Sequence, residues 1–324
     1  MMRRVLITGG SGFIGRYFVE RLQKAEVRIF DIRKPDYPSH AQFIEGDVRN
    51  PEALEKAAEG CDLIIHLAAM HHDFGIADSA YFETNVNGAQ NVCRAASKQK
   101  IGQIINFSSV AVYGNAGNPG PGTEATPPAP TNAYGKSKLE AEAVFEAWAL
   151  EAPSRKLIQV RSTVVFGPHN LANVLNLIKA IDQGLYFHVG KGSNIKSLAY
   201  VENITDSALF ALEHAPDAVF TYNYVDYPQL SSRAIANMQA RQLGKTIRLS
   251  LPLPVALLMA KPFDWAIAIT GKNLKISSKR VKKFCTQTLH EAQKIRELGF
   301  TPRHQMEDGM ERMIRWYRNS LKKA

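Results

Sequence analysis

Val5-Leu6-Ile7-Thr8-Gly9-Gly10-Ser11-Gly12-Phe13-Ile14-Gly15 is the stretch that decides the fold. Its first three residues are apolar, as in a strand buried on both faces. Gly9, Gly12 and Gly15 then recur at G-x-x-G-x-x-G spacing. Glycine tolerates positive φ and lets backbone N–H groups approach an anion closely. Residues 13–24 read as a helix whose N-terminus turns the positive end of its dipole toward the glycines. Strand, glycine turn and helix in this order predict a pyrophosphate cradle. An acid, Asp31, closes the next apolar stretch, Val27-Arg28-Ile29-Phe30. A carboxylate there can accept from both hydroxyls of an adenosine ribose and repels a 2′-phosphate, so NAD is expected over NADP. Arg33 and Lys34 would temper that repulsion.

The same alternation continues outward. Residues 42–45, 62–67, 103–108 and 157–160 read as further buried strands, and 51–58, 81–99 and 134–150 as helices between them. Strands alternating with helices predict an α/β fold: a Rossmann-type, doubly wound parallel sheet covered on both faces. The long Gly- and Pro-rich stretch 115–131 reads as a loop, and loops of that length in a compact domain are often functional. After Gly167-Pro168 the regularity fades into helical patterns at 171–183, 202–213, 231–243, 289–297 and 306–318, with short strands such as 219–225. Residues 1–166 are therefore expected to bind the dinucleotide. Residues 167–324 are expected to form a smaller, mixed substrate-binding portion, with some chain crossing back to the sheet.

The 324 residues are 45% hydrophobic, enough for a sizeable core. The apolar run behind Met1-Met2-Arg3-Arg4 is too short for a signal peptide, so a cytoplasmic location is expected. Cys61, Cys93 and Cys285 are far apart and odd in number, which predicts buried free thiols rather than disulfides. The net charge is +10, and Lys272, Lys275, Lys279, Arg280, Lys282 and Lys283 crowd one C-terminal stretch. Just before it lies an apolar segment, Leu253 to Ala260, interrupted by Lys261, Pro262 and Asp264. That segment is too short for the ~20 apolar residues of a spanning helix. Apolar beside basic suits a peripheral contact on the inner face of the cell membrane; a core helix is the alternative. His71-His72-Asp73 does not predict a metal, because adjacent histidines point apart and a third ligand at suitable spacing is lacking. Nucleic acid, supported by net charge alone, is not an expected partner.

Tyr134-Gly135-Lys136-Ser137-Lys138 places Tyr134 and Lys138 four residues apart near a helix start, hence on one face. A free tyrosine titrates near 10 and is a poor base at neutral pH. A neighbouring ammonium and a cationic cofactor ring favour the phenolate. A fall of about 3 pH units needs roughly 4 kcal/mol of differential stabilisation. Ser109, at the end of the fifth strand, can hydrogen-bond the reacting oxygen and hold it near Tyr134.

These motifs together resemble the extended short-chain dehydrogenase/reductase family over nearly the whole chain. The matching pieces are TGGSGFIG at 8–15, GDVRN at 46–50, HLAA at 66–69, NVNG at 85–88, FSSVAVYG at 107–114, YGKSK at 134–138 and FGP at 166–168. The resemblance implies Ser109, Tyr134 and Lys138 as catalytic residues. It implies NAD contacts at Gly9, Gly12, Phe13, Ile14, Gly15, Asp31, Ile32, Arg33, Asp47, Val48, Leu67, Ala68, Ala69, Phe107, Tyr134, Lys138 and Val164. Substrate contacts are expected at His71, Ser109, Val110, Asn173 and Lys196. A homodimer through helices 81–99 and 134–150 is expected on the same ground.

Departures from the family pattern narrow the reaction. Sugar-nucleotide dehydratases carry acids directly after the serine, where Val110 and Ala111 stand here, and the cysteine of fucose-synthase-like enzymes is also absent. Epimerase or ketoreductase remains. The phosphate-contacting asparagine that many nucleotide-sugar enzymes carry three residues after the arginine is replaced here by Val164, while Lys196 takes the place of a diphosphate-binding arginine. RSTVVFGPHN at 161–170, NVLNLIKAI at 173–181, KSLAYVEN at 196–203 and SSKRVKKFC at 277–285 look like a bacterial subgroup that epimerises undecaprenyl-diphosphate-linked N-acetylglucosamine. Ala172 stands where that subgroup favours glycine. The expected reaction is C4 epimerisation of a diphosphate-linked N-acetylhexosamine, lipid-linked GlcNAc to GalNAc, in surface polysaccharide assembly. The alternatives are a soluble UDP-sugar 4-epimerase, an NAD(P)H-dependent 4-ketosugar reductase and a dinucleotide-sensing regulator. The intact Tyr134 and Lys138 argue against the last.

Overall fold

The computed structural model describes residues 3–71, 76–115, 120–270 and 277–321. β1 (Arg4–Thr8) leads through the glycine turn into α1 (Phe13–Arg21), followed by β2 (Glu26–Asp31) and β3 (Gln42–Glu45). α2 (Pro51–Ala57) starts where the Asn50 side chain accepts from Ala53 N and Pro51 presets φ. β4 (Leu63–His66) precedes α3 (Asp78–Phe82), a π-turn at Glu83–Asn87 and α4 (Gly88–Lys98). β5 (Gln103–Ser109) runs into a 3-10 turn, Val110–Tyr113, and α5 (Ala133–Leu150) and β6 (Lys156–Ser162) follow. The single helix expected over 81–99 is thus interrupted. Asn85, in the widened turn, bonds outside its own helix, to Met70 and Ser137.

With Val219–Tyr224, the later strand β11, seven strands form one sheet in the order β11-β6-β5-β4-β1-β2-β3, and every pairing in it is parallel. Side chains alternate between its faces. Val5, Ile7, Ile65, Ile105 and Ile158 pack with α1 on one side. Leu6, Ile64, Ile104 and Leu157 pack with α2, α4 and α5 on the other. The order reverses between β1 and β4, which opens a crevice at their carboxyl ends.

Beyond β6 the chain forms β7 (Val164–Phe166), α6 (Asn173–Asp182), β8 (His188–Val189), β9 (Ile195–Lys196), β10 (Leu198–Tyr200) and α7 (Val201–His214). β11 (Val219–Tyr224), β12 (Leu230–Ser231), α8 (Ser232–Leu243), β13 (Ser250–Leu251), α9 (Leu253–Thr270), α10 (Ser278–Cys285), α11 (Gln293–Glu297) and α12 (Met306–Leu321) complete it. Residues 201–224 return to the main sheet: β11 pairs with β6, and Ile204, Ala208 and Ala211 of α7 join the α1-side core. A cut after 166 therefore divides the sequence but not the sheet. The second lobe has its own core of α6, α8 and α12. The helix expected over 289–297 shortens to α11, because Thr288 and His290 bridge to Lys196 and Gly122 instead. Cys61 and Cys93 are buried thiols, whereas Cys285 is half-buried at the end of α10.

Candidate active site

The glycine turn leaves β1 at the point of reversal. Gly9 has φ +69°, and a Cβ there would lie 2.5 Å from the Ala68 backbone nitrogen. Only glycine lets the turn lie this close to the end of β4. α1 opens on Gly12 with neither a side-chain cap nor an acid in its first turn. This helix start thus keeps its backbone donors and dipole for an anion, whereas α2 gives Ala53 N to Asn50. Asp31 ends β2 beside the turn and accepts from Ser11 N at 3.1 Å and Arg33 N at 3.2 Å. Those bonds aim the carboxylate along the crevice. Ile32 is exposed next to it. Leu67, Ala68 and Ala69, following β4, are half-buried along the same edge. These features fit a dinucleotide.

Asp47 is more committed than its sequence position suggests. Both of its oxygens accept from the Arg49 side chain, and those bonds hold its carboxyl below the usual carboxylate range. Val48 is buried against Gly88.

The catalytic residues come from two neighbouring elements. Asn132 caps α5 by accepting from Gly135 N at 2.8 Å, which fixes Tyr134 in the first turn. A Cβ on Gly135 would lie 2.5 Å from Ala111 O, so glycine lets α5 start against the 3-10 turn that follows Ser109. The Ser109 hydroxyl caps that turn, accepting from Ala111 N at 3.2 Å. One helical turn past Tyr134, Lys138 Nζ donates to Phe107 O on β5 at 2.6 Å. Lys138 and Ser109 are thereby tied to one strand, two residues apart, and Tyr134 packs edge-on to Tyr81 at 6.3 Å. Val164 is exposed two residues past the end of β6.

Burial lowers the Lys138 pKa to about 8, against the opposing pull of Glu142. Lys138 therefore keeps its charge at neutral pH. His66, beneath it in β4, pairs through Nδ1 with the Thr8 hydroxyl at 2.7 Å. Burial, then the nearby Lys138 charge, pushes His66 down to about 3, so it stays neutral. It adds no competing cation.

Several supporting residues carried no role in the sequence reading. Asn85 accepts from Met70 N at 2.8 Å, and its amide donates to Met70 O and to Ser137 Oγ. Ser137 in turn donates to Tyr134 O. The crevice wall after β4 is thus joined to the catalytic helix. Glu142, one turn beyond Lys138, forms a buried ion pair with Arg161 of β6 at 2.7 Å. Arg161 also donates to Tyr113 Oη at 2.8 Å, and Tyr113 donates to Asn223 of β11. The available signal was an acid on the buried side of α5, in register with Tyr134 and Lys138.

The expected substrate residues sit on separate elements. Val110 is half-buried in the 3-10 turn, His71 is exposed after β4, and Asn173 is exposed at the first residue of α6. His72 and Asp73 lie outside the described residues, as do Lys272 and Lys275. Lys196 Nζ donates to Lys283 O at 3.2 Å and Thr286 O at 2.5 Å, at the C-terminal end of α10. Its burial among these groups lowers its pKa to about 8.

A crevice at the switch point with an aligned tyrosine and lysine defines a dinucleotide-dependent enzyme of the Rossmann class. Comparison with known proteins agrees. Residues 5–223 match the model of the NAD dependent epimerase/dehydratase family, and the chain belongs to that family. It is 39% identical, over 98% of its length and 96% of the relative's, to N-acetyl-alpha-D-glucosaminyl-diphospho-ditrans,octacis-undecaprenol 4-epimerase of Escherichia coli O157:H7. It is 26% identical to a decarboxylating sterol-4-alpha-carboxylate 3-dehydrogenase of Dictyostelium discoideum, over 85% of this chain and 87% of that one. Among solved structures, UDP-glucose 4-epimerase of Thermotoga maritima with UDP-glucose superposes with a TM-score of 0.78 at 20% identity, covering 98% of this chain and 99% of that chain.

Proposed function

We propose that this protein is an NAD-dependent 4-epimerase of a diphosphate-linked N-acetylhexosamine, acting on GlcNAc carried by a polyprenyl diphosphate. The observation that carries this reading is the 39% identity, across nearly both full lengths, to the E. coli lipid-linked 4-epimerase. The turn after Ser109 supports it. Val110 and Ala111 put no carboxyl group there, so the acid and base of a dehydration are missing.

The glycine turn, Asp31 and the Leu67–Ala69 segment would hold the cofactor, with Phe107, Tyr134, Lys138 and Val164 at its reactive end. Bound NAD supplies reversible hydride acceptance at the sugar C4. The chain supplies the proton chemistry. The Tyr134 phenolate takes the 4-hydroxyl proton and later returns it. The Lys138 ammonium, fixed by Phe107 O, stabilises that phenolate electrostatically. The Ser109 hydroxyl donates to the reacting oxygen and keeps it within reach of Tyr134.

The purified protein, incubated separately with polyprenyl-diphosphate-GlcNAc, UDP-GlcNAc and a 4-ketosugar plus NADH, tests this. Conversion of the lipid-linked sugar without net change in NADH is expected. Conversion of UDP-GlcNAc alone would favour the soluble-sugar enzyme, and stoichiometric loss of NADH the reductase. We also infer a homodimer through α4 and α5. Ala143, Ala147 and Leu150 leave a smooth exposed strip along α5 in support. Light scattering that finds only monomer at every concentration would set the dimer aside.

A further inference from the structure

The apolar surface of this chain is concentrated on α9. Val255, Leu258, Met259, Phe263, Trp265 and Ile269 are all exposed there, with Leu258 at 65%, Trp265 at 73% and Ile269 at 84%. At 100° per residue they occupy one face, and the buried residues Ala256 and Ala260 lie on the other. Pro262 lies on the exposed face of this helix. The one acid of α9, Asp264, projects away from that face and accepts from Ser278 N at 3.0 Å, joining α9 to α10.

α10 supplies the complementary half. It carries Lys279, Arg280, Lys282 and Lys283 and buries none of its residues. From Trp265 to His290 the sequence contains six basic residues and no Asp or Glu. Among the described residues, no helix is long and apolar enough to cross a membrane. Exposed tryptophan and aliphatic side chains beside a strongly basic segment suit a helix lying in the headgroup–acyl boundary of an anionic bilayer.

We propose that α9 and α10 form a bilayer-docking surface: the Val255–Ile269 face enters an anionic membrane while the basic residues of α10 lie on its headgroups. The surface is continuous with the second lobe. Lys196 bonds the carbonyls that end α10, and Thr288 bridges to it. Given the function proposed above, this arrangement lets the enzyme take the sugar diphosphate while the polyprenyl chain stays in the bilayer.

The experiment uses the full chain with vesicles of phosphatidylcholine alone or mixed with phosphatidylglycerol, read by co-sedimentation and tryptophan emission. The wild type is expected to bind mixed vesicles with a blue shift that Trp265→Ser removes. Leu258→Ser/Trp265→Ser/Ile269→Ser is expected to abolish sedimentation. Lys279→Gln/Lys282→Gln is expected to weaken it roughly 25-fold, from about fivefold per charge near an anionic surface. A GlcNAc diphosphate bearing a short water-soluble prenyl group is the activity control. The triple variant is expected to match the wild type on it while losing turnover of vesicle-embedded substrate. Absence of wild-type vesicle binding, or equal binding by the triple variant, overturns the docking surface. Loss of self-association in the triple variant with vesicle binding unchanged would assign the face to a second copy and equally overturns it. Vesicle binding without conversion of either diphosphate sugar would overturn the proposed reaction and leave the surface standing.

Discussion

The end of β5 with the start of α5, and the α9–α10 pair, are built on opposite principles. Around Tyr134 the chain closes on itself. Lys138 is bonded to Phe107 O, Ser137 to Asn85, and Glu142 to Arg161. Along α9 it opens outward, with its largest apolar side chains in solvent and, among the described side chains, only Ala256 and Ala260 buried. The first region holds a reactive geometry through buried polar bonds made within the chain. The second leaves apolar groups unsatisfied by the protein, which is stable only if something outside covers them or the surface tolerates them. Precision of positioning and availability for contact are thus assigned to separate parts of the chain.

Tyr134→Phe should give the largest effect. Losing the acid–base hydroxyl costs on the order of 10²–10⁴ in turnover. Retention of NAD, read by absorbance after gel filtration, should be unchanged, because the glycine turn and Asp31 are untouched. Near-normal turnover would break the assignment of this edge as the catalytic one.

Arg161→Met should follow, as a loss of stability. It strands Glu142, which is buried at the heart of α5, and removes the donor to Tyr113. Breaking one partner of a buried pair typically costs about 3–5 kcal/mol. Denaturant unfolding should show a drop of that order, and turnover of the folded fraction should fall as Lys138 loses its ordered neighbour. A change no larger than a surface substitution would mean the closed region is less interdependent than its bonds imply.

The pH dependence sharpens the same contrast. Burial lowers Lys138 to about 8. Turnover should therefore decline as pH rises through that value and the ammonium is lost. Stability should move the other way. Between about 8 and the ordinary lysine value near 10.4, the unfolded chain binds the proton and the folded chain does not. Lys138 therefore adds stability as pH rises through this window. Lys138→Met should abolish the catalytic decline with the activity itself, and should flatten this part of the stability curve. Glu142→Gln should move the decline to lower pH, since Glu142 opposes the shift. A profile flat from neutrality past the lowered value would contradict the role of the ammonium.

These regions also differ in how far the sequence discloses them. The glycine turn, Asp31, Ser109, Tyr134 and Lys138 act through fixed backbone positions at element ends. Apolar periodicity and short spacings therefore locate them without coordinates. The strand and helix ranges of the sheet follow for the same reason. Asn85 was hidden because its work is done across space, to Met70 and Ser137, through a π-turn that leaves no mark in helical periodicity. Arg161 and Glu142 were hidden likewise, being 19 residues apart and joined only by tertiary packing. Lys196 was placed near a diphosphate by resemblance, yet its ammonium is held by carbonyls at the end of α10, a contact between segments 87 and 90 residues apart. For α9, composition could not decide between core and surface, because an apolar helix satisfies either. Only the packed neighbours decide that, and they leave one face bare.

The smallest expected effect falls on that bare face. Trp265→Ser removes a large side chain that the folded protein hardly covers, so folding gains little from it. Its cost in denaturant unfolding should lie within about 0.5 kcal/mol, the range of ordinary surface changes. Arg161→Met should lie several-fold above it in the same assay. If Trp265→Ser instead cost as much as a core truncation, about 3 kcal/mol or more, the side chain would have to be packed against protein. The contrast between a closed catalytic edge and an open contact helix would then fail at its second term.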